Sequence, residues 1–156
     1  MGQEIERKFL IAQMPELEKY DYHKLEQGYL CTKPTIRVRR EDDSFYMTYK
    51  GSGLMSKEEY NLPLNKEAYE KLIKKTEGNI ILKTRYLIPI GKSSLNNELI
   101  AELDIFDPPF APLKFIEVEF ASLEEAEAFV RPDWFGEEVT DNPEYYNSNL
   151  SAFSCQ

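Results

Sequence analysis

The 156-residue sequence is long enough for a globular domain with its own core, and its 42% hydrophobic and 30% charged residues exclude a disordered chain. Its 19 basic and 28 acidic residues give a net charge of −9, which argues against general nucleic-acid binding because that needs a basic surface. No apolar run approaches the roughly 20 residues of a membrane span. The first residues turn acidic without the apolar stretch of a signal peptide.

Short segments that alternate apolar with charged or polar residues recur along the chain, and turn-forming residues separate them. Strands are predicted over residues 4–10, 35–40, 44–50, 58–64, 84–90, 100–106 and 115–120. Helices are predicted over residues 67–76 and 123–130, and after Asn142, which precedes a proline suited to a first helical position. This pattern indicates an α+β protein that is mainly antiparallel β, arranged as a sandwich or a barrel. The absence of a linker or repeat predicts one domain over residues 1–156.

Two cysteines, Cys31 and Cys155, lie far apart in the sequence and lack the spacing of metal ligands. We expect free thiols in a reducing cytoplasm, with one disulfide as the alternative.

Charged residues occupy alternate positions in several predicted strands, so each pair shares one face of its strand. A solvated sheet face would also alternate, but it would tend to mix the two signs of charge. Here most pairs are like-signed: Glu4 and Glu6, Arg37 and Arg39, Lys83 and Arg85, Glu102 and Asp104, Glu117 and Glu119. Acidic pairs favour a hard cation and basic pairs favour phosphate oxygens. If the sheet closes, all these faces point into one lumen, and helices must cover the apolar outer faces.

The first strand reads Glu-Ile-Glu-Arg-Lys from Glu4 and resembles the ExExK signature of the CYTH, or triphosphate tunnel metalloenzyme, family. ExExK alone is a weak pattern, but an ordered set of further motifs extends the resemblance over essentially the whole chain. These motifs are QGYL at 27–30, RVR at 37–39, TYKG at 48–51, KTRY at 83–86, ExDxF at 102–106, ExE at 117–119, WxGxEVT at 134–140 and YxNxxL at 145–150.

The family's fold is a closed tunnel of eight antiparallel strands, and the resemblance implies the same barrel here, with a few covering helices. It implies that Mg²⁺ or Mn²⁺ is held by Glu4, Glu6, Asp104, Glu117 and Glu119. It implies catalytic roles for Glu4, Glu6, Lys8, Glu117 and Glu119. It also implies that the polyphosphate is bound by Lys8, Arg37, Arg39, Lys50, Lys83 and Arg85.

The chain departs from the family pattern near the middle and near its end. Where many relatives carry an arginine followed by alternating acids, this sequence has Met55, Lys57 and Asn61, although Glu59 remains. Where relatives often carry a basic residue, it has Glu144. These departures affect one expected phosphate contact, part of the family's set of acidic residues and one expected basic contact.

The expected function is metal-dependent hydrolysis of a small triphosphate, foremost inorganic tripolyphosphate, with release of phosphate. Two alternatives stay open: a class IV-type adenylyl cyclase or thiamine triphosphatase of the same fold, and a non-catalytic module that binds polyphosphate or nucleotide. The expected partner is a small-molecule triphosphate, with no nucleic acid and no membrane. The oligomeric state and the general base stay open.

Overall fold

The computed structural model describes residues 2–51 and 56–152. Its elements, in chain order, are β1 (Gly2–Ile11), β2 (Asp21–Thr32), β3 (Thr35–Glu41), β4 (Ser44–Lys50), β5 (Ser56–Leu64), α1 (Lys66–Ile73), β6 (Glu77–Lys92), β7 (Glu98–Phe106), β8 (Lys114–Glu119), α2 (Leu123–Ala128), β9 (Phe135–Glu138), a 3₁₀ helix (Pro143–Tyr145) and α3 (Asn147–Ala152). The 3₁₀ helix and α3 together form the C-terminal segment. Within the described ranges, no helix is long and apolar enough to cross a membrane.

The strands close into a barrel. Every pair is antiparallel, the order is β5-β4-β3-β2-β6-β7-β8-β1, and residues 2–5 of β1 pair with β5 to complete the circle. β9 is a ninth strand outside this circle, paired with the last residues of β1. The closed eight-stranded barrel predicted from the sequence is therefore confirmed, with one extra strand and three short α-helices around it.

Several elements differ from their predicted bounds. β2 and β9 were not predicted, because β2 is mostly polar and β9 has only four residues with a glycine among them. β6 begins at Glu77 rather than residue 84, and it includes Gly78, which takes a positive φ of 75°. The predicted C-terminal helix is a 3₁₀ turn capped by Asn142, followed by α3.

The main hydrophobic core lies outside the barrel wall. Phe9 of β1, Leu103 of β7 and Ile116 and Val118 of β8 are fully buried there, and Ala126 of α2 packs onto the same cluster. Each large side chain buried in this way contributes about 1.5–3 kcal/mol relative to exposure in water. The apolar outer face is thus covered, as the alternation required, and the inner face is left for the charged residues.

A second, smaller core occupies one end of the lumen. Tyr29, Ile81, Phe106 and Phe115 face inward there and pack against Leu150 of α3. The expectation that the inward faces are charged is therefore incomplete. At this end the strand faces turn apolar, and the C-terminal segment packs against them.

Candidate active site

Strand register brings the charged faces together inside the barrel. Residues opposite each other in an antiparallel pair share one face of the sheet. Glu117 of β8 lies opposite Lys8 of β1 on one side and opposite Glu102 of β7 on the other. Followed around the circle, the register places on the lumen face every residue predicted for the site: Glu4, Glu6, Lys8, Arg37, Arg39, Lys50, Lys83, Arg85, Asp104, Glu117 and Glu119.

Two adjoining cavities make up the lumen. The acidic chamber has a volume of about 190 Å³, and the residues that line it alone are Glu4, Arg39, Glu41, Tyr46, Glu59, Asn61, Arg85, Glu102 and Glu119. The basic chamber has a volume of about 60 Å³ and lies beside the C-terminal segment, where it is lined by Lys8, Tyr29, Thr35, Lys57, Thr140, Tyr146 and Ser148. The two chambers share Glu6, Arg37, Lys50, Glu117 and Asn147. A chain-like anion that spans both would meet cations in each chamber and most of the carboxylates in the larger one.

Carboxylates crowd the acidic chamber, and their mutual repulsion appears in their pKa values. Burial and the charges of Glu117 and Glu4 raise the pKa of Glu6 well above its usual range. Partial removal from water and the charges of Glu4 and Glu102 raise the pKa of Glu119 to about 7, even though the Glu119 residue as a whole is exposed. Burial also raises the pKa of Glu102. A cation bound among these groups would relieve the repulsion and lower all three pKa values.

Lys50 partly balances this negative charge. Its Nζ lies 3.0 Å from Oε1 of Glu4, 3.1 Å from Oε2 of Glu4 and 3.5 Å from Oε2 of Glu59. Burial opposes ionisation of Glu4, but the Lys50 ammonium and a hydrogen bond with Glu59 together outweigh it and lower the pKa of Glu4. Oε1 of Glu4 is buried, and its 3.0 Å contact with Lys50 lacks hydrogen-bond geometry. A divalent cation at Glu4 would therefore compete with the Lys50 ammonium for this oxygen.

The acidic chamber fits a divalent cation in its donor chemistry. Glu4, Glu6, Glu117 and Glu119 supply only carboxylate oxygens, which Mg²⁺ and Mn²⁺ prefer. Within residues 2–51 and 56–152, however, no group of three or more His, Cys, Asp or Glu side chains is already arranged to hold a metal ion. Glu6 and Glu117 instead share a hydrogen bond. Binding a metal here would therefore require Glu6 to release its proton and the carboxylates to move together.

Asp104 forms the centre of a buried ion-pair network. Lys83 Nζ lies 2.7 Å from its Oδ2, and Arg85 binds both oxygens, with Nε at 2.7 Å and Nη2 at 2.9 Å. The side chains of Lys83 and Asp104 are fully buried. Burial lowers the pKa of Lys83 to about 7, with the Asp104 charge opposing. Both oxygens of the predicted metal ligand Asp104 are thus already bound by cations.

Arg37 and Arg39 hold their guanidinium groups in the lumen through neutral partners. Arg39 donates from Nε to Gln27 at 2.8 Å and from Nη1 to the Tyr46 hydroxyl at 3.2 Å. Arg37 donates from Nη2 to Thr48 at 3.0 Å, while its Nε is buried without an acceptor. Neither arginine has an ion pair with a carboxylate of the described residues. Their positive charge is therefore free to bind an anion.

The C-terminal segment and the loop before it position Lys8. The Lys8 ammonium donates to the backbone oxygen of Tyr145 at 2.7 Å and lies 4.4 Å from the centre of the Phe115 ring. The backbone N–H of Lys8 donates to the Thr140 hydroxyl at 2.9 Å. Asn147 at the start of α3 accepts from Lys83 Nζ at 3.1 Å. Residues distant in sequence therefore orient two of the predicted phosphate ligands.

Lys57, Glu59 and Asn61 were named from the sequence only as family positions, and none of them was assigned to the site. Lys57, Glu59 and Asn61 alternate on β5 and line the chambers, but the predicted strand began at residue 58 and so omitted the first of them. Asn61 accepts from Thr48 at 2.6 Å and donates to Glu59 at 3.1 Å, which fixes the Glu59 carboxylate. Glu144 is exposed and lines neither chamber, and Met55 lies outside the described residues.

Known proteins resemble this chain over nearly its whole length. An inorganic triphosphatase of Nitrosomonas europaea is 41% identical over 152 residues, which covers 95% of this chain and 96% of the relative. An inorganic triphosphatase of Acetivibrio thermocellus is 35% identical and covers 96% of this chain and 94% of its own. A crystal structure of an inorganic triphosphatase superposes with a TM-score of 0.69 at 37% identity, covering 100% of this chain and 99% of the other.

The family model described as the CYTH domain matches residues 2–152, a range that includes all nine strands and the C-terminal segment. The closed barrel is therefore a shared fold. The chain belongs to the CYTH domain family.

Proposed function

We propose that this chain is a metal-dependent inorganic triphosphatase that hydrolyses tripolyphosphate to phosphate and pyrophosphate. The observation that carries the proposal is the composition of the lumen, in which cations without carboxylate partners line the same two chambers as a cluster of carboxylates. The inorganic triphosphatases at 41% and 35% identity support the same activity.

The proposed metal ligands are Glu4, Glu6, Glu117 and Glu119, with Mg²⁺ or Mn²⁺ as the ion. A divalent ion held by these residues would neutralise phosphate charge and would make a water more acidic. We assign Asp104 a different part: because Lys83 and Arg85 already bind both its oxygens, it acts as their counterion and not as a metal ligand.

The cations bind the substrate. Lys8, Arg37 and Arg39 have no carboxylate within ion-pair distance among the described residues, so phosphate oxygens are their natural partners. Lys50 and Arg85 add positive charge in the acidic chamber. Lys83 lies on the same face of the barrel wall but lines neither chamber, and its ammonium is buried against Asp104. Because these groups are fixed by the barrel before substrate arrives, they stabilise charge that develops on the phosphoryl oxygens without having to reorganise.

The chemical step is a phosphoryl transfer to water. The water oxygen bonds to the terminal phosphorus, the anhydride P–O bond breaks, and its electron pair leaves with pyrophosphate. We assign the proton of the attacking water to a carboxylate of the proposed catalytic set, which comprises Glu4, Glu6, Lys8, Glu117 and Glu119. The pKa of Glu119, raised to about 7, supports a carboxylate that can take up a proton near neutral pH.

A phosphate-release panel tests the proposal. Tripolyphosphate, ATP, thiamine triphosphate and pyrophosphate are compared at matched free Mg²⁺ and again with Mn²⁺. We expect tripolyphosphate to have the highest kcat/KM, since the lumen recognises phosphates and a nucleoside must be ordered at its mouth. A tenfold preference requires only about 1.4 kcal/mol. Full activity in excess EDTA, faster turnover of ATP, or formation of cyclic AMP would each contradict the proposal.

We also propose that the protein is cytoplasmic, which agrees with a free thiol at Cys31. Its proposed partner is a small-molecule triphosphate.

A further inference from the structure

Lys8 lies at a seam in the barrel wall. Along one edge, β1 pairs with β5 through residues 2–5 and with β9 from Phe9 onward. Between these two stretches, no strand of the described residues pairs with that edge of β1. The opposite edge is continuous, because residues 6–9 pair there with β8. On the seam side, residues 6–8 therefore depend on groups other than a neighbouring strand.

The turn after β9 takes the place of the missing strand at Lys8. The backbone N–H of Val139 donates to the Lys8 carbonyl at 2.8 Å, and the Lys8 N–H donates to the Thr140 hydroxyl at 2.9 Å. Thr140 is buried and lines the basic chamber. One backbone bond and one side-chain hydroxyl thus fix the Lys8 backbone at the seam.

Glu138 fixes the direction in which the Thr140 hydroxyl points. A hydroxyl has one proton to donate. Thr140 donates it to Oε2 of Glu138 at 2.7 Å, whereas the Lys8 carbonyl lies 3.5 Å from the same hydroxyl. A hydrogen bond to a carboxylate is the stronger of the two. With its proton directed to Glu138, the hydroxyl keeps its lone pairs for the Lys8 N–H.

Arg7 holds the Glu138 carboxylate from outside the barrel. Its Nε donates to Oε2 of Glu138 at 2.8 Å and its Nη2 donates to Oε1 at 2.6 Å. Its Nη1 donates to the backbone oxygens of Ala126 and Phe129, at 2.8 and 3.2 Å. Two parallel bonds restrict rotation of the carboxylate, and they lower the pKa of Glu138 so that it stays ionised. A chain of hydrogen bonds therefore leads from α2 to the Lys8 backbone.

We propose that Glu138 is a positioning residue for Lys8, and that it acts through the Thr140 hydroxyl. The inference rests on the proposed function, in which Lys8 contacts the triphosphate. Glu138 pairs with Phe9 on the outer face of the barrel and lines neither chamber, so it cannot itself contact a substrate there. Losing the hydroxyl bond would free the Lys8 backbone at the seam and let its ammonium leave the geometry that the substrate requires.

The experiment is a double-mutant cycle of Glu138→Gln and Thr140→Val. Glutamine keeps the size of Glu138 but leaves one acceptor oxygen for Arg7 and the Thr140 hydroxyl to share. Valine keeps the shape of Thr140 and removes the hydroxyl. Each single variant should lose about 10-fold in kcat/KM for tripolyphosphate with Mg²⁺, which corresponds to about 1.4 kcal/mol. The double variant should also lose about 10-fold, and not the roughly 100-fold of two independent sites.

Three further variants separate positioning from a loss of stability, with every assay run well below the melting temperature. Glu137→Gln removes an exposed carboxylate from the same strand and should keep kcat/KM within about 2-fold of wild type. Tyr69→Phe removes a hydroxyl that donates to Glu26 at 2.8 Å, on a helix that packs on β2, β3 and β4. It should lower Tm but keep kcat/KM within the same limit. Thr140→Ser retains the hydroxyl and should recover most of the activity that Thr140→Val loses.

The positioning role is overturned by additive losses in the cycle, by equal losses in Glu138→Gln and Glu137→Gln, or by a loss in Tyr69→Phe as large as that in Glu138→Gln. Calorimetric titration with tripolyphosphate in EDTA measures binding without turnover and keeps the proposed function separate. If wild type releases no phosphate but the affinities show the non-additive cycle, the positioning role stands and the triphosphatase assignment falls. If wild type hydrolyses tripolyphosphate and the cycle is additive, the assignment stands and the positioning role falls.

Discussion

At the scale of single residues, the lumen separates charges that have partners from charges that do not. Asp104 and Arg85 satisfy each other, whereas Arg37 and Lys57 lack carboxylates. Alternation along a strand predicted that these side chains share a face. It could not predict the pairing, because Arg85 and Asp104 meet only through the register of two strands, 19 residues apart in the sequence. The role of Asp104 therefore became visible only in three dimensions.

Asp104→Asn should destabilise the protein strongly. The change leaves Lys83 and Arg85 buried without their main counterion, and breaking a buried pair in this way costs about 3–5 kcal/mol. Urea unfolding measures the free energy of unfolding. Glu102→Gln is the matched control, because the Glu102 side chain is 26% exposed and its Oε2 lies 3.2 Å from Arg85 Nη1. This change should lower the free energy of unfolding by less than about 1 kcal/mol. Equal losses in the two variants would show that Asp104 is not the centre of the network.

The metal-free protein should become more stable as the pH falls from about 7 to about 5.5. In this range the raised pKa values of Glu6, Glu59, Glu102 and Glu119 let the folded state hold protons that the unfolded chain has released. Lys83 acts in the opposite direction in the upper part of this range, because its pKa of about 7 lies there and the unfolded chain is already protonated at this residue. Calorimetry in EDTA measures the melting temperature.

Glu119→Gln provides the control for this pH dependence. It should show a smaller rise in Tm than wild type, and Mg²⁺ should reduce the rise in wild type by favouring the ionised carboxylates. A Tm that falls steadily over the same range would mean that the carboxylates are not crowded in the folded protein.

At the scale of elements, patterns that repeat within one strand were predicted well and features that depend on distant partners were not. β4 was predicted with its observed bounds, and β3 to within one residue, because apolar and polar side chains alternate in both. β9 could not be predicted, because four residues containing Gly136 become a strand only by pairing with β1. The C-terminal segment looked like a simple helix, and nothing local showed that Leu150 packs inside the barrel end.

Leu150→Ala should measure how firmly the C-terminal segment is held. Leu150 is 4% exposed and packs with Phe106 and Phe115, so the change removes buried contacts and leaves a cavity. The expected loss is about 2–5 kcal/mol in the free energy of unfolding. Leu123→Ala is the control, since Leu123 is 47% exposed on α2 and should change stability by less than about 0.5 kcal/mol. Similar losses in both variants would argue against packing of α3 into the barrel.

At the scale of the whole molecule, the fold places its charged face inside and its hydrophobic core outside. Closure of eight strands makes this possible, because one continuous sheet face becomes a lumen while the other is covered by α2, β9 and the loops. Like charges are thereby held close together before any ligand arrives. The free protein carries repulsion that its ligands remove, which couples binding to stability.

Tripolyphosphate with Mg²⁺ should therefore raise the melting temperature. A ligand that binds only the folded state at 100 times its Kd stabilises it by about 2.7 kcal/mol. Arg39→Ala should reduce the shift, because Arg39 presents a guanidinium without a carboxylate partner to the lumen. Sodium sulfate at matched ionic strength controls for general salt effects. An unchanged Tm at millimolar tripolyphosphate would indicate a solvated charged face and not a binding tunnel.

The pairing that completes the barrel also has a practical consequence for producing the protein. Gly2 pairs with Glu59, and Glu4 lies only two residues further along β1, so a peptide joined ahead of residue 2 emerges beside the acidic chamber. A polyhistidine tag there would bring imidazoles, which bind transition metals, to the carboxylates proposed to hold the catalytic ion. Metal titrations on such a fusion would measure the tag together with the chamber. Assays of this enzyme should therefore use protein from which any N-terminal tag has been cleaved.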